Sequence, residues 1–174
     1  NNTALGYLAL TTNVTGSNNT GIGKDSLRDG TGDDNTGCGA FTLRANSTGS
    51  YNVAVGRGAL IKNTTANHNT GVGYGVLYEN TTGTENIAIG SYALDANTTG
   101  SHSVAIGYEA LTSATTVSAS VAVGRGALKS NVTGAYNVAV GDRALMDNTG
   151  AYNTAVGGFA LYENTTATNN TACG

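Results

Sequence analysis

The chain reads as an all-β protein, a parallel β-solenoid or β-roll of about 17 residues per coil with two short strands in each coil. Three observations carry that expectation. The phrase Asn-x-Ala-Val-Gly-x-x-Ala-Leu returns every 17 residues, as NVAVGRGAL at 52–60, NIAIGSYAL at 86–94 and NVAVGDRAL at 137–145. A glycine stands at the same place in every return, and proline is absent from all 174 residues. A fixed period of this size marks an array in which one small unit is stacked many times. A stacked coil must also donate backbone N–H groups, which proline lacks.

The units begin at Asn2, Asn19, Asn35, Asn52, Asn69, Asn86, Ser103, Ser120, Asn137, Asn153 and Asn170, and those at Asn19 and Asn137 are one residue short. Place five is always glycine: Gly6, Gly23, Gly39, Gly56, Gly73, Gly90, Gly107, Gly124, Gly141, Gly157 and Gly174. Place nine is always leucine: Leu10, Leu27, Leu43, Leu60, Leu77, Leu94, Leu111, Leu128, Leu145 and Leu161.

Each column has a physical reading. Places one to five alternate polar or β-branched residues with small ones, the period of two expected of a strand. The glycine that ends it suits a turn needing positive φ or close backbone approach. The Ala-Leu pair at places eight and nine is the expected second extended piece, and its leucines are the expected core. Asn-Thr-Thr-Gly stretches such as 97–100 are built from turn formers. Helix fits poorly, because glycine recurs in every unit and helical caps never appear.

One coil cannot stand alone. Burying its few apolar side chains stabilises by roughly 2 kcal/mol each, while ordering the backbone costs on the order of 1–2 kcal/mol per residue. Stability must come from stacking, with coils about 4.8 Å apart. The strand has two faces, places two and four with Val, Ile or Thr and places three and five with Ala or Gly. A thick roll would put the larger set inside, a flat one the smaller set, and the sequence does not choose.

Residues 1–174 form a single repeat array without a composition break. It starts and stops mid-unit without polar caps, so a longer fibre, or ends covered by another copy, is expected. Charged residues are 11% and the net charge is −3, which offers no basic face for nucleic acid. No apolar run is long enough to insert in a membrane. No nucleophile elbow, phosphate loop or metal-ligand spacing occurs, so no enzyme activity, cofactor or metal is expected. Cys38 and Cys173 both fall at place four, eight coils apart, too far for a bond within one chain. They are expected as buried free thiols, the alternative being an end-to-end contact between chains that pairs them.

The phrases Ser103-Val104-Ala105-Ile106-Gly107-Tyr108-Glu109-Ala110 and Ser120-Val121-Ala122-Val123-Gly124 resemble the head repeats of trimeric autotransporter adhesins, the YadA-like or Hep/Hag repeats. They are also similar to repeat arrays of phage tail fibres and related surface fibres. The resemblance spans the chain, and it implies a left-handed roll, three chains around one axis and a role in adhesion. The coils depart from that family in length, since family repeats are shorter and the extra residues here sit in the Asn-Thr-Thr-Gly turn.

That turn holds a further candidate. Place twelve begins Asn-x-Thr at Asn13, Asn46, Asn63, Asn80, Asn97, Asn131 and Asn164, and the same triplet occurs at Asn1, Asn18 and Asn169. On exposed loops of a secreted protein such triplets accept N-linked glycan. The competing explanation is a plain turn, since Asn tolerates the left-handed region and Thr bonds to nearby backbone. Asp25, Asp29, Asp33 and Asp34 gather around Gly30 and Gly32 in a way that suits Ca²⁺, although one degenerate short coil explains the same residues. His68 and His102 are expected as surface turn residues. The tyrosines beside them, Tyr51, Tyr136 and Tyr152, and those after the glycine, Tyr7, Tyr74 and Tyr108, are edge packing or a grip for sugars or a partner chain.

The expected function is that of an extracellular structural fibre or adhesin segment, on a cell or virion surface, giving multivalent display. Its expected partners are copies of itself, as a trimer or filament, with glycans or cell-surface receptors. Alternatives are an ice-binding solenoid, from threonines at regular spacing, and a phage tail-fibre receptor-binding segment.

Overall fold

A computed structural model describes residues 1–174. It contains eleven three-residue strands and no helix: β1 (Thr3–Leu5), β2 (Thr20–Ile22), β3 (Thr36–Cys38), β4 (Val53–Val55), β5 (Thr70–Val72), β6 (Ile87–Ile89), β7 (Val104–Ile106), β8 (Val121–Val123), β9 (Val138–Val140), β10 (Thr154–Val156) and β11 (Thr171–Cys173). They form one parallel sheet in chain order, each strand beside the next, so the chain is a β-solenoid. Register is kept across the short coils too, with Thr20 opposite Thr36 and Val138 opposite Thr154. The missing residue is absorbed at the corner after place twelve, where Gly30-Thr31-Gly32 and Asn148-Thr149-Gly150 each skip place fourteen.

The expected second strand is absent, and its place is taken by two tight turns back to back. The N–H of place eight donates to the carbonyl of place five, as Ala59 does to Gly56, and the N–H of place twelve donates to place nine, as Asn63 does to Leu60. Between the two turns every place-nine leucine sits in the left-handed region, with φ between 47° and 53°. That conformation costs a non-glycine residue roughly 1–2 kcal/mol. It is repeated because it aims each leucine N–H at the coil above, as Leu60 to Val76 O (3.0 Å) and Leu77 to Ala93 O (3.1 Å). The side chain meanwhile turns inward, and Leu27, Leu43, Leu60, Leu77, Leu94, Leu111, Leu128 and Leu145 are fully buried. Leu10 and Leu161, in the terminal coils, are partly buried against the same column.

The place-five glycines answer to a stronger constraint. Gly90 has φ +122°, and a Cβ there would lie 2.6 Å from the carbonyl oxygen of Gly107 in the next coil. Only glycine lets these backbones stack.

The small face of the strand is the interior one. Ala88 is 0% exposed, whereas its neighbours Ile87 and Ile89 are 42% and 40% exposed. The cross-section is therefore flat, with room between strand and leucine column for a methyl group or nothing. Its other half is polar. Asparagines of places one and twelve line it, and Asn35, Asn46, Asn52, Asn63, Asn69, Asn80, Asn86 and Asn97 are all 0% exposed. Each place-one amide donates to the place-fifteen carbonyl of its own coil, and its Oδ1 accepts the next coil's place-one N–H: Asn52 Nδ2 to Ala66 O (2.8 Å), and Asn69 N to Asn52 Oδ1 (3.0 Å). The place-twelve amides bond to one another, Asn63 to Asn46 (2.8 Å), Asn80 to Asn63 (3.0 Å) and Asn97 to Asn80 (2.9 Å). Buried amides survive in an interior only when bonded in this way.

Candidate functional site

With leucine, alanine and asparagine turned inward, three outer surfaces remain. The first is the strand face, places two and four. The second is the corner, places thirteen to seventeen. The third is the turn face, built from places six, seven, ten and eleven.

The corner corrects the glycan stripe expected from sequence. Asn46, Asn63, Asn80, Asn97 and Asn131 are fully buried, and each amide donates to the carbonyl of place fifteen in its own coil. A glycan on Nδ2 would take one of its two N–H donors and has no room in the interior, so these residues are internal ladder rungs. Asn164 is half-buried in the same role, its Nδ2 donating to Asn148 and to Ala167 O, whereas half-buried Asn13 in the first coil accepts Gly16 N–H at Oδ1 and leaves its Nδ2 without a partner. Asn1, Asn18 and Asn169 are exposed. The place-thirteen hydroxyls are tied to the next coil, as Thr64 Oγ1 to Thr81 O and Thr81 Oγ1 to Thr98 O (both 2.9 Å).

The thiols are also corrected. Cys38 and Cys173 are free but exposed, because place four points outward. The carboxylates around Gly30 are dispersed: Asp29 pairs with Arg28 at 2.8 Å, Asp33 accepts Ser17 N–H, and Asp34 accepts from Asn18. No three His, Cys, Asp or Glu side chains gather closely enough to hold a metal ion. His68 is exposed and stacks flat on Tyr51 at 4.9 Å, His102 lies 3.5 Å from Glu85, and Tyr136 stacks on Tyr152 at 5.1 Å.

The strand face is an uninterrupted strip. Across β1 to β11 its two columns hold only Thr, Val, Ile, Leu and Cys, with no charge.

The turn face is where the coils differ most. Ion pairs run along the rod between coils: Lys62 to Glu79 (2.6 Å), Arg125 to Asp142 (2.8 and 3.0 Å), and Lys129 to Glu109 (2.5 Å). The Arg125 guanidinium holds the Asp142 carboxyl below its usual range, and Lys129 does the same for Glu109. Place seven has positive φ in every coil and carries Phe41 (φ 63°) in the third coil and Tyr92 (φ 61°) in the sixth. Between them stand Gly58 and Gly75, so two ring-sized side chains are missing from the column. The vacancy is a trough of about 310 Å³, lined by Arg57 and Tyr74 of place six and by Ile61, Tyr78 and Asp95 of place ten. Arg57 lies over Phe41 (5.6 Å) and Tyr74 (5.8 Å), and Tyr74 meets Tyr92 edge-on at 5.4 Å. Burial pushes the Asp95 carboxyl upward against a hydrogen bond from Thr112. Sequence reasoning singled out Tyr74 but missed the trough. Its signal was two consecutive glycines in a column whose flanking members are aromatic.

Comparisons with family models, with curated proteins and with solved structures returned no match.

Proposed function

We propose that this chain is a self-assembling segment of a surface fibre, displayed outside the cell or on a virion, whose copies meet along the strand face. The observation that carries this is the charge-free strip of places two and four. Two columns about 7 Å apart over ten steps of about 4.8 Å give a flat uncharged surface on the order of 300 Å², apolar throughout in β4 and in β6 to β9. A patch of that size matches the largest on a typical monomer, which is often a functional contact. A stable pair buries roughly 800 Å² per partner, so the flanking rings of Tyr51, Tyr136 and Tyr152, each more than half exposed, would join the contact. A rod whose copies share an axis presents identical outer faces many times, and weak contacts then add through effective concentration.

Light scattering coupled to size exclusion tests this. The chain is expected to elute at the mass of three copies or as open polymer. The double variant Val104→Lys/Ile106→Lys, on outward positions of β7, is expected to elute as a monomer with an unchanged β-sheet spectrum. A wild-type monomer at all concentrations would overturn the reading. The same run separates protein from glycan mass, and any sugar found belongs to exposed Asn1, Asn18 or Asn169.

Ice binding stays as a second reading because place-two threonines, Thr20, Thr36, Thr70 and Thr154 among them, share the flat outward face. Val and Ile interrupt them in β4 and in β6 to β9. Thermal hysteresis from a monomeric chain would favour it.

A further inference from the structure

The geometry points to a binding site for a short neutral saccharide in the trough between Phe41 and Tyr92. The site lies on the turn face and does not rest on the strand face being an assembly surface.

The argument begins with size. In the place-seven column one six-membered ring fills one coil's share of the surface, as Phe41, Tyr92 and Phe159 do. Gly58 and Gly75 vacate two adjacent shares, which leaves room for two ring-sized units end to end. A pyranose is such a unit. Nothing in the backbone demands the vacancy: a Cβ at Gly58 would meet only the Tyr78 ring at 3.8 Å, and neighbouring coils hold large side chains at the same positive φ.

Chemistry narrows the occupant. Sugars present apolar C–H faces and a rim of hydroxyls, and they are held by aromatic faces together with donors and acceptors at the edge. The trough supplies both. Tyr74 and Tyr78 both line it, the Arg57 guanidinium offers donors, and the Asp95 carboxyl and the tyrosine hydroxyls accept. A cationic ligand is repelled by the positive charge already beside the rings, Arg57 at Phe41 and Tyr74 and Lys62 at Tyr78 (5.6 Å). An anionic ligand gains little, since the Asp95 carboxyl lines the same trough and the Arg57 guanidinium is already turned onto the Phe41 and Tyr74 rings. A neutral, hydroxyl-rich occupant matches what is left.

The chain contains its own control. Gly126 also vacates place seven, but alone, and the smaller trough there (about 240 Å³) is walled by Tyr108, Glu109, Arg125, Lys129, Arg143 and Met146. Its charges are engaged with one another through the Lys129–Glu109 pair and with Asp142 through Arg125. It has one ring where the first trough has four.

The test is an NMR titration of tyrosine ring signals with cellobiose, lactose, maltose and N,N′-diacetylchitobiose, with tetramethylammonium as the cationic probe. At least one disaccharide is expected to give saturable shifts confined to Tyr74, Tyr78 and Tyr92. Gly75→Phe, which copies the residue type of neighbouring coils, is expected to weaken that binding at least tenfold with the β-sheet spectrum intact. Gly126→Phe should leave it unchanged. Should Gly75→Phe fail to fold, Asp95→Asn and Arg57→Ala serve in its place, each expected to weaken binding several-fold. Saturation by no disaccharide, saturation by tetramethylammonium alone, or equal losses from Gly75→Phe and Gly126→Phe would each overturn the proposal. The Val104→Lys/Ile106→Lys variant, whatever its oligomeric state, should bind like the wild type, which separates this result from the assembly test.

Discussion

Between Asn35 and Gly100 both asparagine columns run unbroken, whereas the coil from Ser103 to Ala119 carries neither. There Ser103 replaces Asn at place one, Ala114 replaces it at place twelve, and Val117 stands where glycine usually does. All three are fully buried, and the strands on either side keep register. The serines sustain a thinner ladder, Ser120 N to Ser103 Oγ at 3.4 Å and Asn137 N to Ser120 Oγ at 3.1 Å. At place twelve the ladder stops cleanly. Asn97 and Asn131 on either side turn Oδ1 onto their own coil, accepting Gly100 N–H (3.1 Å) and Gly134 N–H (2.9 Å). Ala114 and Val117 fill the gap with apolar atoms. The difference teaches that a buried amide column can be removed when both partners go together, since only half-removal leaves a group unsatisfied.

The largest effect is expected where the two regions do not differ. Place five is glycine in both, and Gly90→Ala forces a Cβ onto the backbone of Gly107 at φ +122°. The array should fail to form, read as loss of the β-sheet spectrum and of soluble expression. A folded Gly90→Ala would show that the coils can separate locally, and the stacking argument would go with it.

The next prediction breaks the comparison itself. Asn80→Ala deprives Asn63 Oδ1 of its donor and Asn97 Nδ2 of an acceptor, and should cost about 2–3 kcal/mol in urea unfolding. In the ladder-free coil the reverse change needs both partners. Ala114→Asn alone is expected to cost about 1–3 kcal/mol by overpacking against Val117. Ala114→Asn with Val117→Gly should recover most of that loss. Equal costs for the single and the double variant would show that the two residues are independent.

The smallest effect concerns pH, and it separates ladders from the turn face. Asp29, Glu109 and Asp142 have carboxyls lowered by bonds from Arg28, Lys129 and Arg125. A lowered carboxyl stabilises above its unfolded value, about 4, and that contribution disappears as pH falls through the lower folded value. Asp95 acts in the opposite sense, because burial raises it. The asparagine columns carry no titratable group. A slight fall in urea midpoint is therefore expected only below about pH 4, and Asp142→Asn should leave the pH 7 midpoint nearly unmoved. A steep loss above pH 5 would place the stability in charges, not amides.

Much of this was readable in the residues, and the failures share one cause. Period, parallel stacking, glycine at Gly90 and leucine at Leu60 follow from spacing and size. What spacing does not carry is direction. Ile87 and Ala88 alternate whichever one faces in, and only the flatness of the cross-section, set by the back-to-back turns, decides it. Those turns hid as well, since Ala59-Leu60 looks extended until Leu60 is seen at φ 53°. Asn80-Thr81-Thr82 matches a glycan triplet letter for letter, yet its amide points inward because Leu77 three residues earlier closes a turn with it. Cys38 failed in the same way, placed inside when its column faces out. The trough at Gly58 and Gly75 depends on which coils are neighbours, which the period supplies, and on which side place seven faces, which it does not.

The coils that skip place fourteen have one more consequence. The corner is held by the place-one amide of its own coil, and that clasp survives the missing residue in both short coils, as Asn19 to Gly32 O (2.7 Å) and Asn137 to Gly150 O (2.8 Å), with Asn148 adding the place-twelve clasp in the second. What tolerates a deletion there also tolerates a graft. A foreign loop spliced after Thr82 would leave β5 and β6 aligned, because Asn69 and Asn80 both donate to the Gly83 carbonyl and Asn69 Oδ1 accepts the Asn86 N–H where the next coil begins. With one such splice point in each coil that carries both asparagines, all along one edge, the rod becomes a pegboard on which peptides can be mounted at intervals of about 4.8 Å.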